Sequence, residues 1–148
     1  MGMLNKNVKG IILTYRPIEY LKFITTYRAC HVAIVCVMED SNVLLSVGEL
    51  NVLYAREANK NDDCWLTHGY GGPLKEVAKY SMIKEVSLMD IIKEFVKIRT
   101  AKFSCLSNNC HHMTRDIIKR FCVYEDDDTY LQCPRGWNLV RECLFGRA

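Results

Sequence analysis

Apolar and polar positions along the chain alternate with two different periods, and the switch between them divides it into a strand-rich first half and a helical second half. The run from Gly10 to Tyr15 (Gly-Ile-Ile-Leu-Thr-Tyr) is rich in β-branched residues and stops before Pro17, which predicts a first strand. Cys30 to Met38 predicts a second and stronger one. Its two alternating sets, His31, Ala33, Val35, Val37 and Cys30, Val32, Ile34, Cys36, Met38, are both apolar apart from the histidine, so this strand is expected at the centre of a sheet. Glu39-Asp40-Ser41-Asn42 reads as a turn, and Val43 to Val47 as the returning arm of a hairpin. A third antiparallel strand is expected at Asn51 to Ala55, after a turn at Gly48.

From Ala58 to Pro73 the composition shifts to Asn, Asp and Gly without a period, which predicts a long loop, and Ile83 to Ser87 adds a short strand. Ser87-Leu88-Met89-Asp90 has the form of a capping box. Leu88, Ile91, Ile92, Phe95 and Val96 then follow at helical spacing. A second helix is expected to begin at Asn108 or Asn109, because Asn is a favoured N-cap, and to run to Phe121. On it Cys110, Met113, Ile117 and Phe121 recur every three or four residues and share one face. That face is expected against the sheet, which leaves His111 and His112 facing solvent or a neighbouring loop. Glu125 to Asp128 reads as an acidic turn, and Tyr130 to Phe145 carries no pattern that assigns an element.

Composition narrows the class of protein without choosing its function. The 148 residues, 49% hydrophobic and 25% charged, suit a single α+β domain, and the net charge of +3 is far from the dense positive field of an obligate nucleic-acid binder. No apolar run reaches the ~18 residues of a membrane span, the N-terminus lacks the pattern of a secretory signal, and Lys6 breaks a myristoylation motif. A cytoplasmic protein is expected. In a reducing compartment its eight cysteines are free thiols, and no paired Cys-x-x-Cys spacing marks a zinc site. Cys105, Cys110, His111 and His112 are a weak alternative ligand set, so neither metal nor cofactor is expected.

Candidate chemistry centres on Cys110. In the first turn of a helix its thiol meets unpaired N–H groups at the positive end of the helix dipole, which favours thiolate. His31 is the best available general base, and Ala33, two residues along the same face, is small enough to admit a helix. The bland alternative is a buried structural thiol and a satisfied core histidine. His68, in the glycine-rich segment, is a further histidine that reads as a solvated loop residue.

The histidine within Cys30-His31-Val32-Ala33-Ile34-Val35, and Asn109-Cys110 with His112 two places on, together resemble the H-box/NC pattern. That pattern is shared by the lecithin:retinol acyltransferase-like phospholipase/acyltransferases and by the 2A proteins of some picornaviruses, notably parechoviruses and kobuviruses. The short chain is more similar to the viral branch. The resemblance spans Thr14 to Phe121 and implies a circularly permuted NlpC-type, papain-like fold: an antiparallel sheet carrying His31, packed on a helix that begins at Cys110. It also implies a structural role for His112.

One departure stands out. The lipid-acting relatives carry a second histidine on the strand after the H-box, whereas Val43-Leu44-Leu45-Ser46-Val47 offers only Ser46 as a polar group. A serine can orient an imidazole but supplies no charge to its protonated form. Two functions follow from the resemblance. One is a viral accessory protein supporting genome replication in the host cytoplasm by binding host proteins, replication membranes or RNA. The other is a cysteine-dependent acyltransferase or phospholipase-like hydrolase using Cys110, His31 and Ser46. For RNA, Lys97, Arg99, Lys102, Arg115, Lys119 and Arg120 are the candidate patch.

Overall fold

Runs of β-branched and aliphatic residues that are apolar on both faces must be covered on both, and the covering is done by a barrel on one side and two helices on the other. The computed structural model describes residues 2–17, 30–47, 52–67, 73–99, 110–125 and 128. At residues 16, 17, 30, 31, 99, 110 and 111 it describes the backbone alone. After a 3-10 turn at Gly2–Asn5 come β1 (Gly10–Pro17), β2 (Cys30–Val37), β3 (Asn42–Val47), β4 (Leu53–Asn61), β5 (Cys64–Thr67) and β6 (Leu74–Ser81), then α1 (Leu88–Arg99) and α2 (Cys110–Phe121). Neighbouring strands pair antiparallel in chain order and β6 returns to β1, closing a barrel. The chain is thus α+β, but its sheet is a closed barrel rather than an open layer.

The two faces of β2 enter two separate cores. Ala33 and Val35 join Ile12, Leu44, Ala58, Trp65 and Leu74, a set drawn from all six strands and therefore the barrel lumen. Val32, Ile34, Cys36 and Met38 join Ile11, Leu13, Val43, Leu45 and the apolar faces of α1 and α2, including Phe95, Met113 and Ile117. The expectation of a central strand holds. Its physical form is a wall with the lumen on one side and α2 on the other.

Expected and observed elements diverge in the most polar stretch. Ala58 to Pro73 is not one long loop: β4 continues to Asn61, the chain turns through Asp62 and Asp63, and β5 returns. Asp62 takes a left-handed φ of 57°, a region Asp tolerates better than most residues. The hairpin escapes a periodicity argument because β4 buries only Ala58 fully and is otherwise mostly exposed. The strand expected at Ile83 to Ser87 is also displaced. The sixth strand precedes it, at Leu74–Ser81, where a bulge opposite Leu13/Thr14 breaks its alternation. Residues 82–87 instead make single bridges, Met82 to Cys122 and Ser87 to Asn7.

α1 begins as its capping box requires. The Ser87 backbone N–H donates to Asp90 Oδ2 at 3.1 Å, and the Asp90 N–H donates to Ser87 Oγ at 3.2 Å. These bonds from Ser87 hold the Asp90 carboxyl below its ordinary value of 3.8. A depressed carboxyl stabilises the fold above its unfolded pKa, so this contribution is present at neutral pH and fades on acidification below that value. Ser87→Ala removes one of the two bonds and is expected to cost about 1 kcal/mol in urea denaturation.

Candidate functional site

Cys110 and His31 fall on the elements expected for them. Cys110 is the first residue of α2. His31 is the second residue of β2 and the cross-strand partner of Arg16. Because alternate residues of a strand belong to opposite faces, position 31 belongs with Ala33 and Val35, the lumen set. α2 packs on β2 through the other set, since Met113, Ile117 and Ile118 share a core with Val32, Ile34 and Cys36. Ala33, expected to admit a helix, lines the lumen instead. The side chains of Cys110 and His31 lie outside the described ones.

Ser46 does share the histidine's face. It alternates with Leu44 of the lumen, is 1% exposed, and lies opposite Tyr54 of β4. Thr14, on the same side of β1, is fully buried and donates its hydroxyl to the Ala33 carbonyl at 2.9 Å. The lumen thus changes from aliphatic at its centre to hydroxyl-bearing towards the end where β2 begins and β3 finishes. Tyr54 was not singled out from the sequence, because its importance depends on the register of β4. Its alternation with Ala58 would have marked it once that strand was placed.

α2 differs from expectation along its first turns. His112 is fully buried rather than solvent-facing, and Met113, Thr114 and Arg115 are buried with it, so the helix is enclosed there on more than its apolar stripe. The His112 Nε2 makes no hydrogen bond, although the residue has other contacts. This burial removes Arg115, 6% exposed, from any solvent-facing basic patch.

Of the remaining basic candidates, Lys97, Lys119 and Arg120 are exposed, while the Arg99 side chain and all of Lys102 lie outside the described residues. Arg120 is already committed, with Nε 3.4 Å from Glu94 Oε2 across the two helices and its guanidinium 5.8 Å from the Phe121 ring. A dense cationic surface is therefore not formed by the described members.

Among the described residues, no three of His, Cys, Asp and Glu gather as metal ligands. Cys105 of the weak zinc set lies outside them. No helix among them is long and apolar enough to cross a membrane. Cys36 and Cys122 are buried beside α2, and burial pushes both thiols up, Cys122 to about 12. Thiolate is the reactive form, so both are expected to resist iodoacetamide at pH 8 in the folded protein and to react once urea unfolds it, as peptide mass spectrometry would read.

On the lumen's other side Glu76 accepts a hydrogen bond from Trp65 Nε1 at 3.2 Å and pairs with Lys60 at 3.3 Å and Lys79 at 3.7 Å. Partial burial works to raise its carboxyl, but Trp65 and Lys60 outweigh it and hold Glu76 below the usual carboxylate range. These contacts tie β4, β5 and β6 together around the indole. Comparison of the chain with protein-family models, with curated proteins and with solved structures gives no match.

Proposed function

We propose that this chain is a binding protein of the H-box/NC type, an accessory of the viral 2A kind, in which the His31 and Cys110 positions serve the scaffold rather than thiol catalysis. The observation that carries this reading is the alternation of β2. A general base must come within hydrogen-bond reach of its nucleophile. Position 31 instead has the alternation of the lumen set, whereas α2 covers the opposite face of the same strand. The missing second histidine, with Ser46 in its place, points the same way.

Of the partner classes, a protein or membrane surface fits better than RNA. Among the described basic candidates, Arg115 is buried and Arg120 is paired with Glu94. Near the end of α2, by contrast, Ile83, Val123 and Tyr124 are 58%, 60% and 40% exposed.

The alternative keeps the permuted NlpC-type enzyme: Cys110 attacks an ester carbonyl, His31 takes the thiol proton, and the acyl group passes to water or an acceptor. What favours it is that α2 begins at Cys110. Titrating Cys110 alkylation against pH separates the two. A binding protein gives the same profile in the parent and in His31→Ala. A depressed thiol pKa that returns to the ordinary cysteine range in His31→Ala would overturn the proposal.

A further inference from the structure

The barrel wall is incomplete along β4, whose nine residues pair in two separate stretches. β3 takes one edge at Leu53 to Glu57, and β5, four residues long, takes the other edge at Ala58 to Asn61. The two-residue turn through Asp62 and Asp63 makes Asn61 and Cys64 the hydrogen-bonded pair that closes this hairpin. Alternation then aims the N–H and C=O of Leu53, Ala55 and Glu57 along the β5 edge, past the point where β5 stops. Among the described residues no backbone hydrogen bond meets them there.

An edge with open backbone groups is a template for another strand, and folds ordinarily blunt such edges with lysine, proline or a bulge. Leu53-Tyr54-Ala55-Arg56-Glu57 carries none of them. Tyr54, Ala55, Arg56 and Glu57 are all exposed, so neither face of the strand is covered. Arg56 and Glu57 enter no ion pair among the described residues.

We propose that this edge joins a second copy of the chain, β4 to β4 and antiparallel, across a two-fold axis at Ala55. In that register Ala55 faces Ala55 of the partner subunit and Leu53 faces Glu57 of the partner subunit, so every outward N–H meets an outward C=O. A slip of one residue sets outward groups against groups already bonded to β3, and a slip towards Asn59 runs into β5. The side chains suit the same register. The smallest of them, Ala55, lies at the axis, and the Arg56 guanidinium comes opposite the ring of Tyr54 of the partner subunit, where cation–π attraction favours it. Because the contact is the same on both copies it closes as a dimer and does not propagate. It lies on a different element from the Ile83, Val123 and Tyr124 patch and is independent of whether Cys110 reacts, so the alkylation experiment above neither supports nor removes it.

Sedimentation equilibrium of the full chain from micromolar to millimolar concentration, with amide exchange read by NMR on the same samples, tests this edge. A monomer–dimer equilibrium is expected, and the Ala55 and Glu57 amides are expected to gain protection in step with the dimer. The Arg56 amide, bonded to β3, stays protected throughout and serves as the control. Ala55→Lys sets like charges against each other at the axis and is expected to weaken the dimer roughly tenfold or more. It leaves the melting temperature of the dilute monomer unchanged, because the side chain stands in water. A chain that stays monomeric at every concentration, with freely exchanging Ala55 and Glu57 amides, would overturn the proposal and leave the edge to a strand of another protein. Protection of those amides that does not change with dilution would also overturn it, since the chain itself would then cover the edge. A dimer that Ala55→Lys leaves unchanged would place the interface elsewhere.

Discussion

Trp65→Ala is expected to destabilise the fold by about 3–5 kcal/mol, enough to unfold many domains of this size. The indole is 4% exposed and is the largest member of the lumen core. The alanine variant leaves a cavity that Ala33, Ala58 and Val35 are too small to fill, because strands joined by continuous hydrogen bonding cannot collapse inwards as readily as a helix can shift. It also strips Glu76 of an N–H donor and Lys60 of the ring 6.0 Å away. Urea denaturation of Trp65→Ala and Trp65→Phe reads the two contributions separately. Phe refills most of the volume without the N–H, so it is expected to recover more than half of the loss. A cost for Trp65→Ala below about 1 kcal/mol would mean that the lumen is not the tightly packed core described.

Ile117→Asp is expected to have a comparable or larger effect, about 5 kcal/mol or more, through the second core. Ile117 is fully buried where α2 meets the outer face of β2. The substitution loses an aliphatic side chain and puts a carboxylate into the apolar cluster that holds Ile34, Cys36 and Met113. Circular dichroism and one-dimensional NMR would show whether α2 detaches while the barrel survives, or the whole domain unfolds. The closed strand order and separate lumen core favour survival of strand signals with lost helix. Ile117→Val, which keeps the chemistry and trims one methylene, is expected to cost only about 1 kcal/mol.

Where periodicity is strong, the fold could be read from residues alone. β2 carries apolar residues on both faces over eight positions, α1 announces itself by Ser87 and Asp90, and α2 by the spacing of Met113, Ile117 and Phe121. The start of β4 overlaps the strand expected at Asn51 to Ala55, but the rest of β4, with β5 and β6, could not be read in this way. A barrel strand with one face in water needs few apolar residues, and β4 places a single fully buried alanine among Asn, Lys, Arg and Glu. In β6 the bulge at Val77 shifts the alternation midway, so neither face shows a clean period.

The candidate site was legible as two elements and illegible as a constellation. Cys110 at a helix start and His31 on a central strand follow from local pattern. Which face of β2 the helix covers is decided by Trp65 and Leu74, far along the chain, because they complete a lumen that claims Ala33 and Val35. His112 illustrates the same limit: a helical wheel sets it off the apolar stripe, yet it is fully buried.

The two-sided packing of β2 can be tested directly by NMR with labelled methyl groups and the Trp65 ring in the intact chain. Cross-relaxation is expected within the lumen set, linking Trp65 with Ile12, Val35 and Leu44, and within the outer set, linking Met113 and Ile117 with Val32 and Ile34. Contacts from the Val35 methyls to Met113 or Ile117 would contradict it, because they would turn the His31 face of β2 towards α2.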